Sequence, residues 1–450
     1  MHSPLTLLRA EALGSERESD SAAAGAQIDA SESVMRTLTR RAAESRRMIS
    51  LADVEAARDR VEEVAKRTPL DYSYTFSEMT GAAVHLKLEN NQRTGSFKIR
   101  GAMNRIAMLS EAEKEAGVVT ASAGNHAQGV ALAATRAGVD STVVMPEHAP
   151  ISKVKATRRY GAQTVLHGAD YDEAQARAHE IEAEEGRTYV HAFDDDYVMA
   201  GQGTIGLEIV EDCPEVDTVV VPIGGGGLIS GIATAVKEQL PDVRVIGVQA
   251  EGASSAAESL RKGSVHELDS VNTIADGIAT RRVGDRPFEV IQKYVDEVVT
   301  VSDEEIAVAL TYLLERSKTL VEGAGAVALA ALVFEKFDYE EGEVVVPALC
   351  GGNIDMNQLT TVVMRGLVET GRYLKVRTVL RDRPGALHDL LSVIADAQAN
   401  IYAIRHDRTS REIGMNETDV ELDLETRGHD HVEDLLSALR ERGYAVEVLV

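Results

Sequence analysis

Cysteine and long apolar runs are both scarce in this 450-residue sequence, and each shortage excludes a class of protein. The two cysteines, Cys213 and Cys350, lie far apart, so they form neither a disulfide framework nor a C-x-x-C site. No uninterrupted apolar stretch approaches the length that a membrane span requires. The first residues contain no basic segment that leads into a long apolar stretch and a small-residue cleavage site. We therefore expect a cytoplasmic protein with no membrane partner.

Basic residues are also few, since 47 Lys and Arg face 73 Asp and Glu and the formal net charge is -26. This balance argues against duplex nucleic acid as a partner, because phosphate neutralisation requires Lys and Arg. The self-repulsion of such a charge destabilises a compact fold in dilute buffer and weakens when salt screens it. We therefore expect a salt-adapted, halophilic protein. The alternative is a charge that only keeps the protein soluble.

The length is enough for about three domains. Residues 1–47 are rich in Ala, Ser, Glu and Arg with little apolar periodicity, which predicts a disordered extension and leaves Met35 and Met48 as alternative translation starts. Ser50 is typical of a helix N-cap, and the spacing after it predicts an amphipathic helix to Ala65. From residue 69 to about residue 366, helical patterns alternate with strand-like runs. These runs include residues 83–88, 141–145, 164–166, 218–223, 244–249 and 344–349.

This alternation predicts an α/β fold in which helices cover a parallel sheet, and ligands of such sheets collect beyond the carboxyl ends of the strands. A run of four glycines, residues 224–227, follows one predicted strand and precedes a helical stretch over residues 228–240. Residues without Cβ let several backbone N–H groups converge on one anion, and the helix dipole favours the same charge. The run therefore predicts a phosphate site, although similar clusters also serve as tight turns or dinucleotide loops.

Lys98 follows a polar stretch that contains Gly95 and Ser96, and it opens a helical pattern over residues 99–109. A cation is disfavoured at the positive end of a helix dipole, and this field lowers the pKa of the amine. A neutral amine can form a Schiff base. The alternative is an ordinary solvated lysine, which is the usual environment of a single Lys.

Two further turns follow strand-like runs. The first, residues 120–129, reads Thr-Ala-Ser-Ala-Gly-Asn-His-Ala-Gln-Gly and leads into a helical pattern over residues 128–137. Its backbone N–H groups suit a carboxylate and the Asn125 amide suits a ring oxygen, but a helix N-cap by Ser122 or Asn125 is equally compatible. The second turn reads Cys-Gly-Gly-Asn from Cys350 onwards, where a buried apolar role for the cysteine is the alternative.

Together these four segments resemble the fold type II pyridoxal phosphate enzymes, most closely the threonine dehydratases (threonine ammonia-lyases), with serine racemase as a near relative. In that family Ser-Phe-Lys carries the lysine that binds the cofactor, and Ser-x-Gly-Asn-His contacts cofactor and substrate. The glycine loop holds the phosphate, and a Ser or Cys before Gly-Gly-Asn meets the pyridine nitrogen. The resemblance spans about residues 50–366. It implies a tryptophan synthase β-like catalytic domain of two α/β subdomains over residues 48–370.

The resemblance implies pyridoxal 5'-phosphate as the cofactor and Lys98 as the catalytic residue and general base. The implied cofactor-binding residues are Phe97, Lys98, Asn125, Gly224, Gly225, Gly226, Gly227, Leu228 and Cys350. The implied substrate-binding residues are Ser122, Gly124, Asn125 and His126. For His126, a role in stabilising the loop or orienting a carboxylate is favoured over a catalytic one. Glu322 lies in a glycine-rich corner that resembles the family's segment near the cofactor, and its alternative is a surface carboxylate.

Residues 373–450 have a different pattern. They predict strands at residues 373–380, 399–408, 417–426 and 444–450 and helices at residues 386–398 and 429–442. This βαββαβ order is a ferredoxin-like unit. The segments Asp-Arg-Pro-Gly-Ala-Leu, residues 382–387, and Ala-Asn-Ile, residues 399–401, resemble an ACT domain, although the Pro-Gly turn is also compatible with a structural role alone. The resemblance implies an ACT regulatory domain that binds an amino-acid effector, in a homo-oligomer that is a dimer or a tetramer.

For function, the resemblance implies deamination of L-threonine to 2-oxobutanoate and ammonia, with L-serine as a slower substrate and regulation by isoleucine or valine. The role is then isoleucine biosynthesis or threonine catabolism. An L-serine or 3-hydroxyaspartate dehydratase is the alternative enzyme, and an inactive amino-acid sensor is the alternative of another class. Serine racemases have a second serine where this chain has Ala123, so racemisation is not expected. Their divalent-cation site is represented by Glu251, but Ala257 replaces the second acid, so no metal is expected.

Overall fold

The computed structural model describes residues 47–409 and 413–450, and the extension predicted over residues 1–47 lies outside them except for Arg47. The helices are α1 (Leu51–Glu62), α2 (Tyr74–Thr80), α3 (Lys98–Ala107), α4 (Glu111–Ala116), α5 (Asn125–Ala137), α6 (Ile151–Arg159), α7 (Tyr171–Glu185), α8 (Asp196–Asp212), α9 (Gly227–Gln239), α10 (Ser255–Lys262), α11 (Asp285–Tyr294), α12 (Asp303–Tyr312), α13 (Gly323–Val333), α14 (Met356–Glu369), α15 (Ala386–Asp396) and α16 (His429–Glu441). The strands are β1 (Leu70–Tyr72), β2 (Ala83–Lys87), β3 (Val118–Ala121), β4 (Ser141–Met145), β5 (Gln163–Leu166), β6 (Thr188–Tyr189), β7 (Thr218–Pro222), β8 (Arg244–Ala250), β9 (Glu297–Val301), β10 (Val344–Pro347), β11 (Tyr373–Arg381), β12 (Asn400–Asp407), β13 (Glu417–Glu425) and β14 (Val446–Val448). No helix within these described ranges is both long and apolar enough to cross a bilayer.

The largest sheet has the strand order β1-β2-β10-β7-β8-β9. Its strands run parallel to their neighbours, except that the edge strand β1 pairs antiparallel with β2. Strand β7 has the sequence Thr-Val-Val-Val-Pro and is buried at every position, as expected where helices cover both faces of a sheet. This arrangement confirms the parallel sheet predicted from the alternation of strands and helices.

A smaller parallel sheet has the order β5-β4-β3-β6. Its strand β4 is also buried along its whole length. Helices α3 and α5 pack against each other, and α3 also packs against α8. The four sequence segments thus distribute over two sheets: one follows β3 of the smaller sheet, two follow β7 and β10 of the larger sheet, and Lys98 opens α3. The carboxyl ends of these strands are where a ligand of an α/β fold is expected.

The predicted helix starts lie within one residue of the observed starts, except for that of α5. Ser50 is the N-cap of α1 as predicted, and its backbone N–H donates to the Asp53 carboxylate at 2.9 Å. Helix α5 begins at Asn125, three residues before the predicted start at residue 128, and its N-cap is Gly124. Ser122 and Asn125 therefore do not cap the helix.

The C-terminal residues form a separate four-stranded sheet with the order β12-β13-β11-β14. All of its pairings are antiparallel. Helices α15 and α16 pack against each other, and their apolar side chains share one core with the sheet. Each element end lies within two residues of its predicted position, and the order confirms the ferredoxin-like βαββαβ unit.

Candidate active site

One cavity of about 820 Å3 opens beyond the carboxyl ends of β3, β7 and β10. It is lined by every residue that the sequence predicted for cofactor or substrate binding. These residues are Phe97, Lys98, Ser122, Gly124, Asn125, His126, Gly224, Gly225, Gly226, Gly227, Leu228 and Cys350. Ala123 and Glu322 also line the cavity, so Glu322 is not a surface carboxylate. Segments separated by more than 200 residues in the chain thus meet around one space.

Lys98 is the first residue of α3, and its Nζ donates a hydrogen bond to the Ala192 carbonyl at 3.0 Å. Burial lowers the pKa of the amine to about 8, although Cys350 and Glu322 act in the opposite direction. At neutral pH this shift increases the neutral fraction roughly 300-fold over that of an ordinary lysine. The predicted direction is confirmed, but desolvation rather than the helix dipole is the main cause.

The glycine loop leads directly into α9. Gly226 is the N-cap of that helix and adopts φ +92°, a conformation that favours glycine, and the helix itself begins at Gly227. A Cβ added to Gly225 would lie 2.3 Å from the ring of Phe193. The loop must therefore lack side chains because an aromatic ring fills the space behind it. The first N–H groups of α9 have no intrahelical partner, which suits an anion.

Asn125 connects two other polar side chains at the cavity wall. Its Nδ2 donates to Glu322 Oε1 at 2.6 Å, and its Oδ1 accepts from Asn353 Nδ2 at 2.8 Å. One Nδ2 hydrogen remains for a ligand, because an amide nitrogen carries two. Burial raises the pKa of Glu322, although the hydrogen bond from Asn125 opposes this shift. The site therefore fixes the Asn125 amide in one orientation.

His126 is an uncharged side chain that makes a hydrogen bond to the backbone. Its Nε2 lies 2.9 Å from the Val190 carbonyl, so Nε2 carries the hydrogen and donates it. Burial, followed by the charge of Lys98, lowers the pKa of His126 to about 3, which keeps the ring neutral. Ser122 Oγ accepts a hydrogen bond from the Gly124 backbone N–H at 3.1 Å.

Cys350 follows β10 and is held on two sides. Its Sγ donates to the Ala324 carbonyl at 3.3 Å, and its own carbonyl accepts from the Phe97 backbone N–H at 3.2 Å. Burial strongly raises the pKa of the thiol, so the group stays neutral. A neutral thiol at this wall differs from a carboxylate, which would hold a cation.

Residues 61–351 match the family described as pyridoxal-phosphate dependent enzyme, and residues 372–444 match the ACT domain family. The chain belongs to the pyridoxal-phosphate dependent enzyme family. The predicted fold class and family are therefore confirmed.

Individual members of the family are similar to the chain over most of its length. It is 49% identical to the L-threonine ammonia-lyase of Thermotoga maritima over 402 residues, which are 89% of this chain and 100% of the relative. The processed form of threonine deaminase isoform 2 from Solanum lycopersicum matches with a TM-score of 0.68 and 40% identity, over 70% of this chain and 86% of that chain. Maize serine racemase matches with a TM-score of 0.68 and 36% identity, over 72% of this chain and 99% of that chain.

The lining residues fit the family's cofactor on chemical grounds. Pyridoxal 5'-phosphate needs an amine that can lose its proton, a cradle for an anion and polar partners at its ring. Lys98, the glycine loop with α9, Asn125 and Cys350 provide these groups around one cavity. Within residues 47–409 and 413–450, no cluster of three or more His, Cys, Asp or Glu could hold a metal ion.

Several residues that line the site were not predicted from the sequence. Ala192 and Phe193 lie in a loop without a glycine pattern, so nothing in the sequence singled them out. Lys153, on α6, also lines the cavity. Asn353 belongs to the Cys-Gly-Gly-Asn turn, and its position there could have suggested it.

Proposed function

We propose that this protein deaminates L-threonine to 2-oxobutanoate and ammonia with pyridoxal phosphate. The observation that supports this most strongly is the buried Lys98 amine, whose pKa is lowered to about 8, in a cavity shared with the glycine loop. The L-threonine ammonia-lyases of Thermotoga maritima and Geobacter sulfurreducens, which are 49% and 50% identical, support the choice of substrate.

The cofactor would be held by the residues that line the cavity. Lys98 Nζ would bind it covalently, the glycine loop and the Leu228 N–H would hold the phosphate, and Asn125 would donate to the ring oxygen. Phe97 would pack beside the ring and Cys350 would face the pyridine nitrogen. Bound there, pyridoxal phosphate supplies an electron sink for the charge left on Cα when a proton is removed.

The protein's own groups would then bind the amino acid and move its proton. The backbone N–H groups at the start of α5, with Ser122, Gly124, Asn125 and His126, would hold the substrate carboxylate. The Lys98 amine would act as the general base that removes the α-proton. Loss of the β-hydroxyl and hydrolysis then give 2-oxobutanoate and ammonia. His126 would orient the loop, since its Nε2 donates to the Val190 carbonyl while burial keeps the ring neutral.

The substrate assignment is tested by incubating the purified protein with L-threonine, L-serine or 3-hydroxyaspartate and measuring the 2-oxo acid formed. We expect 2-oxobutanoate from threonine and slower formation of pyruvate from serine. Faster turnover of serine or 3-hydroxyaspartate would assign the protein to the alternative dehydratases. An inactive amino-acid sensor would form no 2-oxo acid and would show no cofactor absorbance band. For the enzyme, we expect such a band in the wild type and its loss in Lys98→Ala.

We also propose that the protein is a cytoplasmic homo-oligomer regulated by an amino acid such as isoleucine or valine. The C-terminal ACT domain supports the binding of an amino-acid effector. Activity measured against isoleucine, valine and AMP, with and without residues 373–450, tests this regulation. We expect the full chain to respond to an amino acid and the shortened chain to lose the response. Inhibition by isoleucine would favour isoleucine biosynthesis, and activation by AMP would favour threonine catabolism.

A further inference from the structure

Four charged side chains are buried beside the first turn of α3, and none of them lines the cavity. They are Lys87 at the end of β2, Glu89 in the turn after it, Arg100 on α3 and Glu208 on α8. Their side chains are 0%, 1%, 2% and 12% exposed. The two positive and two negative charges cancel. We call these side chains the buried quartet.

Arg100 is the centre of the quartet. Its guanidinium donates to Glu89 at 2.9 and 2.7 Å and to Glu208 at 2.7 and 3.0 Å. It also donates to Thr204 Oγ1 and to the Lys66 carbonyl, each at 3.1 Å. The planar fork can satisfy all these acceptors in one orientation only.

Lys87 completes the quartet from the other side of Glu208. Its Nζ donates to Glu208 Oε2 at 2.6 Å and to the Thr68 carbonyl at 2.8 Å. Glu208 therefore bridges Lys87 at the end of β2 and Arg100 on α3.

For Arg100 and Glu89, the charged partners outweigh the penalty of burial. Burial alone would lower the pKa of Arg100, yet the charges of Glu89 and Glu208 raise it. Burial alone would raise the pKa of Glu89, yet the charge and hydrogen bonds of Arg100 lower it. Apolar residues of similar size often replace such networks without loss of stability, so stability alone does not account for four charges here. Their directional bonds offer a different advantage, which is one defined geometry.

Helices α3 and α8 also approach each other closely at Gly101. The Gly101 N–H donates to Gln202 Oε1 at 3.0 Å, and a Cβ on Gly101 would lie 2.7 Å from the Val198 carbonyl. Helix α3 is thus in close contact with α8 directly after Arg100. A rotation or an axial shift of α3 would break both this contact and the hydrogen bonds that the Arg100 guanidinium donates.

We propose that the buried quartet is a positioning device for Lys98, which lies two residues before Arg100 on the first turn of α3. The quartet fixes the rotation and axial position of that turn, and with them the place of the amine in the cavity. A slide by one residue would shift the helix by about 1.5 Å and turn it by about 100°. Misplacing a reacting group by about 1 Å can lower a rate about 100-fold. The inference rests on the proposed role of Lys98 as the cofactor-binding amine.

Two conservative variants separate positioning from stability. Arg100→Lys keeps the charge and removes the fork, and Glu208→Gln keeps the shape and removes the charge. The matched control is Arg105→Lys on the same helix, whose side chain pairs with Asp195 at 3.1 Å. A third variant, K87M/E89Q/R100M/E208Q, contains no buried charge from the quartet and is expected to fold.

Three readouts are measured for each variant. The first is the rate at which cofactor-free protein acquires visible absorbance after pyridoxal phosphate is added. The second is the pair kcat and KM with threonine, and the third is circular dichroism as a function of temperature. We expect both conservative variants and the neutral variant to stay folded at the assay temperature, with attachment rate and kcat lowered at least about tenfold and KM changed less than about threefold.

The proposal is overturned if the folded quartet variants attach cofactor within about threefold of the wild-type rate. It is also overturned if their losses equal the unfolded fraction, or if all three variants fail to fold, because the quartet then acts through stability. A comparable loss in Arg105→Lys would make the effect general to α3 and would equally contradict the proposal. If Lys98→Ala still acquires the absorbance band, the proposed role of Lys98 has failed instead.

Discussion

Replacing Lys98 by methionine should stabilise the cofactor-free protein, and the gain should depend on pH. Burial lowers the pKa of the amine to about 8 from an ordinary value of 10.5. Burial therefore disfavours the protonated form of this amine in the folded state. A methionine at the same position has a side chain of similar length and no charge. The expected gain in the free energy of unfolding from Lys98→Met is equal to the cost of burying the charged amine.

The size and sign of the effect follow from the two pKa values. The difference between 10.5 and about 8 corresponds to roughly 3 kcal/mol. Below about pH 8 the amine is charged in both states, so the folded state bears the full penalty. Between about pH 8 and pH 10.5 the unfolded state binds more protons, so wild-type stability rises with pH. The advantage of Lys98→Met should therefore shrink by roughly 2 to 3 kcal/mol between about pH 7 and pH 10.

Urea unfolding of both cofactor-free proteins, followed by circular dichroism because the chain has no tryptophan, measures this difference. Titration of other groups cancels when the two proteins are compared at each pH. Lys155→Met, at an exposed position on α6, is the matched control, and its difference should stay flat. A Lys98→Met difference that changes by less than about 0.5 kcal/mol over this pH range would refute the reasoning.

Further predictions concern the loop, the substrate and salt. Gly225→Ala should weaken cofactor binding about tenfold to 100-fold in an absorbance titration, because its Cβ would lie 2.3 Å from the Phe193 ring. Adding Phe193→Ala should restore binding, and unchanged binding by Gly225→Ala alone would contradict this. Ala123→Ser should convert L-serine to D-serine, which chiral chromatography detects. Formation of D-serine by the wild type would show that a second serine is not required. Melting temperature and activity should rise from dilute to molar KCl because salt screens the net charge of -26, and flat or declining profiles would remove the idea of salt adaptation.

The parts of the fold that depend on neighbouring residues could be predicted from the sequence. Strand β4 was predicted with its observed ends because a short run of β-branched residues is buried on both faces. Gly226 could be recognised because a loop that turns into a helix after a buried strand favours glycine at positive φ. The C-terminal unit was predicted because its periodicity changes from strand to helix at regular intervals.

The parts that depend on distant contacts could not be predicted. Asn125 bonds to Glu322 across 197 residues and to Asn353 across 228 residues, and no local pattern reports such a pairing. The start of α5 was predicted too late because Asn125 and His126 have modest helix propensity, which tertiary contacts override. The Phe193 ring behind Gly225 gives the glycine loop a packing requirement that the sequence alone did not suggest.

Reduction of the pyridoxal phosphate-loaded protein with borohydride, followed by peptide mass mapping, tests the central claim most directly. We predict that the pyridoxyl group is found on the peptide that contains Lys98, and that Lys98→Ala carries none. A label on another lysine such as Lys153, or no label at all, would contradict the account.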